Sequence, residues 1–341
     1  MKERLEILKK VIFFTNAGTL HQRALRIKKL NIFISKQINF NIRKFEKYLA
    51  LSNADLTSEL VKEFPGLQGK VGGYYASLEK IPNEVCEAFY NQYNSKFPKK
   101  SNNILALIIS ISQKIDGILA FFISQKRISG AGDPFGLRRS VLSIIKICID
   151  NKLSLDINLL IKFSLKTFEE QKIKNDINVE DILNFLKKRF MNLFTEDGYS
   201  NEQIETVLFS KCFNPYELKN ELKVLKSFIN SQVGINFQKA FKRLSSIKEE
   251  KSELNFDIKI FQCNEEFSLY KCSQELKSIQ VGLDFLNNKK FIILLTNSLN
   301  NFFDKVQVNS KEKKLKKNRK SFVNFLYREI NNYFNFEFLI K

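Results

Sequence analysis

Apolar residues recur at helical spacing along most of the chain. Leu5, Leu8, Val11 and Ile12 fall at i, i+3 and i+4 intervals, which predicts one apolar helix face. Leu56, Leu60 and Phe64 do the same, closed by Pro65-Gly66. Residues 104–122 are strongly apolar, with Lys114 and Asp116 embedded, and predict a buried helix. A turn cluster follows at 129–134. Asp133 is placed to cap the next helix and Pro134 to occupy its first position. The buried stripe of that helix is Leu137, Val141, Ile144 and Ile145. Leu183, Leu186, Phe190 and Leu193 share a further face, and Glu196-Asp-Gly-Tyr and Asn214-Pro215 are breaks. Helical spacing returns in three more sets. These are Phe237, Phe241 and Leu244; then Phe285, Phe291, Leu294 and Leu295; and Phe322, Phe325, Leu326, Ile330 and Phe334. Residues 305–309 read as a short link. With no strand alternation and no repeat of fixed period, the pattern predicts an all-α protein.

Composition narrows the class. The chain has 341 residues, 44% of them hydrophobic, enough for a sizeable core and against wholesale disorder. The length suggests two or three domains. Five scattered cysteines form no disulfide framework, and with one histidine, His21, and no CxxC pair a zinc site is excluded. Such usage fits a reducing cytoplasm. The charged start Met1-Lys-Glu-Arg lacks the apolar core of a signal peptide. Apolar stretches such as 104–111 and 291–295 fall far short of a membrane span, so no membrane is expected as a partner.

Charge points to a partner. Lys and Arg number 56 against 36 Asp and Glu, a net charge of +20, which favours a polyanion. A lysine-biased genome decorating exposed helix faces gives the same surplus, so clustering has to decide. Residues 305–320 hold eight basic residues and one acid, Glu312. Such density repels itself unless phosphates come near. The recurring phenylalanines read as core rather than as base-stacking platforms.

There is no GxxxxGK[ST] phosphate loop, no HIGH-like or KMSKS-like nucleotide motif and no GxSxG elbow. Gly130-Ala-Gly132 is too short for a dinucleotide fingerprint. The pairs Glu249-Glu250 and Glu265-Glu266 read as solvated. No catalytic residue is assigned.

Four segments in order resemble one family, the β subunit of the bacterial heterotetrameric glycyl-tRNA synthetase. The first is Glu3-Arg-Leu-Glu-Ile-Leu-Lys-Lys-Val-Ile-Phe with Gly18-Thr-Leu. The second is Ala54-Asp-Leu-Thr-Ser-Glu-Leu-Val-Lys-Glu-Phe-Pro-Gly-Leu-Gln-Gly followed by Gly73-Tyr-Tyr-Ala. The third is Asp133-Pro-Phe-Gly-Leu-Arg-Arg, with Gly136 where the family usually has Ala. The fourth is Phe302-Phe-Asp-Lys-Val-Gln-Val with Asn318-Arg319, where Lys316 replaces the usual Arg and Lys320 an apolar residue. The resemblance covers the C-terminal part of that subunit; the family's N-terminal half is absent, as in a fragment, a split gene product or a decayed gene.

The resemblance implies an HD-like helical domain over 1–150, a helical linker over 151–235 and a DALR-type anticodon-binding domain over 236–341. It implies a cytoplasmic aminoacyl-tRNA synthetase, a ligase that attaches glycine to tRNA-Gly. ATP, with Mg, would be used by the α subunit, and this chain would bind no cofactor. Its partners would be tRNA-Gly and the α subunit, in an α2β2 heterotetramer. The implied tRNA contacts are Arg138 and Arg139, at a helix start after a turn, and Lys316, Lys317, Asn318, Arg319 and Lys320 at the anticodon arm. Arg138 pairing with a nearby acid, and the lysines forming only a solvated face, stand as alternatives.

An active HD phosphohydrolase, the rival from another class, needs a His-Asp pair, further histidines and a later Asp. Asp55 sits where the pair's Asp would be, but Ala54 replaces its His, and Asp116 resembles the later Asp. One histidine cannot complete the set, so Asp55 and Asp116 are expected to be buried hydrogen-bonding groups and no metal is assigned. A third reading is a structural remnant that only scaffolds the complex.

Overall fold

The computed structural model describes residues 1–94, 101–124, 133, 135–174, 176–208, 212–248, 254–280 and 282–340. Helices carry the fold, and no strand ladder forms among the described residues; one isolated bridge joins Ile12 and Thr19. The all-α reading holds. Pro134, Gly130-Ala-Gly132 and Glu249-Glu250 lie outside the described residues. Contacts divide the chain into two compact units.

The first unit comprises Met1–Leu193 and Cys212–Glu217. At its centre runs the Ile104–Ile123 helix, started by Asn103, whose side chain accepts from the Ala106 N–H at 3.0 Å. Around it pack Leu20–Gln37, Asn83–Asn91, Leu137–Asp150 and Ile157–Glu170. This central helix is 20 residues long and apolar enough to cross a membrane, where the apolar stretches had suggested otherwise. It is instead a core helix: 89% of its most apolar window is buried within the protein. Local chemistry fixes its neighbours. Thr19 and Gln22 form a reciprocal capping box at the start of Leu20–Gln37, with bonds of 3.2 and 2.9 Å. Asp156 caps Ile157–Glu170 through the amides of Asn158 and Leu159.

Two apolar faces expected from spacing are broken. The first helix ends at Ile7, and Ile12 is 71% exposed because residues 11–19 turn back to form the bridge. Leu60 and Phe64 are also exposed. A 3-10 segment, Arg43–Thr57, ends before Ser58, whose hydroxyl caps a new short helix at the Val61 N–H and resets the phase. The stripe Leu137, Val141, Ile144 and Ile145 is buried as expected.

The second unit comprises Phe194–Lys211 and Leu218–Lys341. Gln232–Ile247 packs on Lys289–Lys305 and Lys313–Asn331, and Asn264–Leu276 packs on the same two. Phenylalanines fill the centre: Phe237 and Phe336 each lie 5.1–6.1 Å by ring centroid from the other and from Phe241 and Phe285. Most aromatics of the expected stripes, Phe322 and Phe334 among them, are core. Phe325 is only partly buried, and Leu294 of the aliphatic positions is nearly half exposed. Residues 306–312 link the last two long helices.

Candidate nucleic-acid interface

Residues 313–320 of the basic segment form the first turns of Lys313–Asn331, and the helix sorts their side chains by face. Leu315, Asn318, Arg319 and Phe322 point into the unit and are buried. Lys313, Lys314 and Lys317 are exposed, and Lys316 and Lys320 half-buried.

Asn318 and Arg319 are therefore committed inside the protein, not presented to an anticodon arm. Asn318 accepts from the Asp257 N–H at 2.7 Å and donates to the Asp257 carbonyl at 3.0 Å, pinning the segment before Asn264–Leu276. Arg319 donates to both oxygens of Glu266, at 2.8 and 3.2 Å, and to the Gln307 carbonyl at 3.1 Å. Glu266 is fully buried and also accepts from the amides of Gln262 and Cys263, at 2.8 and 3.0 Å. Burial pushes its carboxyl pKa up, but Arg319 and the two amides outweigh this and hold it below the usual range. The Glu266 bond likewise raises Arg319. The solvated reading of Glu265-Glu266 is corrected: Glu265 pairs with Lys305 at 2.9 Å, and Glu266 is a core ion. Two signals pointed to this. Arg319 falls at helical spacing between Leu315 and Phe322, and Glu266 stands three residues after Cys263, at capping distance.

The lysines gather where a helix tolerates them least. The first turn leaves backbone N–H groups unpaired and carries the positive end of the helix dipole. Lys313 with Lys317, and Lys316 with Lys320, stand at i, i+4, and like charges there repel by a few tenths of a kcal/mol per pair. Lys305 and Arg319 are paired to acids, and the other cations of the segment are Lys311, Lys313, Lys314, Lys316, Lys317 and Lys320, with Glu312 among them.

A second basic group lies in the first unit. Gly136, at φ +64°, turns the chain into Leu137–Asp150 in a left-handed conformation that costs glycine little. Asp133 then caps that helix, accepting from the amides of Arg138 and Arg139 at 3.1 and 3.2 Å. Asp133 therefore already occupies the amides at this helix start, leaving only side chains there to meet a phosphate. Arg139 is exposed, its guanidinium 3.6 Å from the same carboxylate. Arg189, which the sequence reading missed, completes the group. Burial and then the charge of Arg138 lower its pKa, while Asp133 raises it. It lies across the Phe185 ring at 3.8 Å. The Asp133 carboxylate thus faces the Arg139 guanidinium and acts on the charge of Arg189, with Arg138 beside it. Arg189 lies outside the third motif, which is why spacing gave no sign of it.

The donors of an HD metal site do not assemble. Asp116 is fully buried and held by Arg26, at 2.7 and 3.2 Å, and by Arg23 at 3.3 Å. Asp55 is buried and accepts from the Gly69 N–H at 2.6 Å. Among the described residues no three His, Cys, Asp or Glu side chains come together to hold a metal ion. A carboxylate neutralised by two guanidiniums is a poor ligand for a second cation, so the donor set does not suit the phosphohydrolase reading.

Comparison with known proteins agrees with the four motifs. The family described as glycyl-tRNA synthetase beta subunit matches residues 1–209. The glycine–tRNA ligase beta subunit of Rickettsia bellii (strain OSU 85-389) is 32% identical over 321 residues, covering 94% of this chain and 47% of its own length. That of Buchnera aphidicola subsp. Acyrthosiphon pisum (strain Tuc7) is 31% identical over 329 residues, with shares of 94% and 48%. The Syntrophomonas wolfei protein is 28% identical over 326 residues, with 93% and 47%. The chain spans about half the length of these curated relatives. With the family match covering residues 1–209, more than half of the chain, and the relatives extending over 94% of it, the chain belongs to the glycyl-tRNA synthetase beta subunit family.

Proposed function

We propose that this chain is a tRNA-binding, non-catalytic part of a glycyl-tRNA synthetase β subunit. It supports the ATP-dependent attachment of glycine to tRNA-Gly by a separate α subunit in the cytoplasm, within an α2β2 assembly. On this reading the first unit contains the HD-like domain and the second the DALR-type anticodon-binding domain. The observation that carries it is the lysine cluster on the first turns of Lys313–Asn331. Cations crowded at the positive end of a helix are unfavourable alone, and a phosphate backbone relieves both their mutual repulsion and their clash with the dipole.

The same geometry defines the kind of recognition. Asn318 and Arg319 have their polar groups engaged inside the unit, so the exposed surface consists of lysine point charges. Such a surface grips phosphate without reading base edges. It anchors a tRNA; discrimination of tRNA-Gly has to come from elsewhere. Arg138, Arg139 and Arg189 form the corresponding patch of the first unit.

The test is tRNA binding at two salt concentrations, by wild type and by a variant with Lys313, Lys314, Lys316 and Lys317 changed to Gln. The variant should bind tRNA-Gly and a non-cognate tRNA more weakly by similar factors, with a shallower salt dependence. Identical affinity and slope would leave the lysines as a solvated face. Capture of the α subunit by a chain that binds no tRNA would favour the scaffolding remnant.

A further inference from the structure

In the first unit a cavity of about 280 Å³ opens beside the Ile104–Ile123 helix. Arg23, Lys114, Gln92 and Gly117 line it, with the rings of Phe14 and Phe135. No Asp or Glu is among its described lining residues.

The charge around it is unbalanced. Arg23, Arg26 and Lys114 are all buried, and Asp116 alone accepts from the two arginines as a carboxylate. Lys114 donates to the carbonyls of Gln92 and Asn94, at 3.4 and 3.1 Å, and to the Ser110 hydroxyl at 2.5 Å. These acceptors are neutral, and Lys114 has no ion-pair partner among the described residues. Burial pushes its ammonium down to about 8, so it stays charged at neutral pH. A buried cation without a counter-ion is costly unless an anion enters. Arg23 spends Nε on Asp116 and Nη2 on the Gln113 carbonyl, and its Nη1 has no hydrogen-bond partner among the described residues. In sequence, the stretches 95–100 and 125–132, next along the chain from Asn94 and Ser124, contain no acidic residue either.

Gly117 is a second, independent sign. It sits inside a 20-residue helix, where glycine is unfavourable. Close packing does not require it: a Cβ there would meet no neighbour nearer than Arg23 Nη2, at 3.9 Å. What glycine does at this position is keep the space beside Arg23 open.

We propose that this cavity binds a phosphate ester of mononucleotide size, with its phosphate beside Arg23 and Lys114 and its base against Phe14 and Phe135. The volume suits a single nucleotide, and cations at one wall with aromatic rings at another match its two chemical halves. The site belongs to the first unit and stands independently of the lysine helix and of the tRNA-binding reading. Its ligand is either a free nucleotide or the phosphorylated end of an RNA.

Calorimetric titration of the full chain tests this with AMP, adenosine, and a short RNA with and without a 5′-phosphate. AMP or the phosphorylated RNA should bind at least tenfold more tightly than its unphosphorylated counterpart. Binding to AMP points to a free nucleotide, and binding to the RNA end alone points to the second source. Lys114→Met should weaken the interaction tenfold or more. Gly117→Leu, which fills the cavity from a position with room for a Cβ, should abolish it while the circular dichroism spectrum stays helical. The second variant keeps the test decisive should the first fail to fold. Equal binding of both members of each pair, no binding of any of them, or affinity untouched by Gly117→Leu would overturn the proposal.

Discussion

Arg319 and Glu266 form a buried, two-bond ion pair that ties the lysine-bearing helix to the start of Asn264–Leu276. The third Arg319 bond, to Gln307, adds the link before its own helix, and the Gln262 and Cys263 amides complete the Glu266 shell. The residue pair that the family motif makes conspicuous, Asn318-Arg319, is thus a clamp that orients the surface lysines.

Removing either partner strands the other charge in the core. Arg319→Met or Glu266→Gln should destabilise the second unit by about 3–5 kcal/mol, read from urea unfolding. The double variant Arg319→Met, Glu266→Leu should recover part of that loss, because no buried charge remains. Acid should act in the same direction as the single variants. The Glu266 pKa is lower folded than unfolded, so its stabilisation is complete above the ordinary carboxylate range and disappears as pH falls through the depressed folded value. A wild type and a Glu266→Gln variant that lose stability equally on acidification would contradict this.

Sequence periodicity was informative where a helix buries a simple stripe, as at Leu137, Val141, Ile144 and Ile145. It misled where a polar group resets the phase: Ser58 restarts the helix ahead of Leu60, and the Ile12–Thr19 bridge exposes Ile12. The basic segment was visible as a cluster, but its division into clamp and surface was not. Lys317 and Arg319 are both long cations two residues apart; spacing puts Arg319 on the face of Leu315 and Phe322, but the partner that holds it there, Glu266, is distant in sequence. Arg189 was silent because its relation to Arg138 and Asp133 is purely tertiary.

Charge reversal at the lysine helix should separate stability from binding. Lys313→Glu and Lys314→Glu place acids in the first turn, where the dipole favours them by about 0.3–1 kcal/mol each. Thermal unfolding should therefore shift upward while affinity for tRNA falls. Loss of both stability and binding would show that these lysines serve the fold.

Purified alone, the chain should not support glycine-dependent pyrophosphate exchange with ATP. No nucleotide-activating motif is present in its sequence, and the proposed role leaves activation to the α subunit. Exchange activity that co-purifies with this chain in the absence of α subunit would refute the non-catalytic reading.

Lys114 should make the first unit more stable in mild alkali. Its ammonium loses its proton near pH 8 when folded, against 10.5 in the unfolded chain, because burial disfavours the charge. Between those values the unfolded chain holds more protons, so folding stability rises with pH. Below pH 8 both states are charged and the burial penalty is present in full; above 10.5 both are neutral and it is absent. The gain across the window should be about 1–3 kcal/mol. Lys114→Met lacks the group, so the stability difference between wild type and variant should move in favour of the wild type as pH rises from 8 to 10.5. Other groups that titrate there, such as surface lysines and tyrosines, are common to both proteins and cancel in that difference. Urea unfolding of the pair at four or five pH values, without added nucleotide, gives the curve. A flat difference would mean that the Lys114 charge is already compensated, and would remove the electrostatic reason for an anion in the cavity beside it.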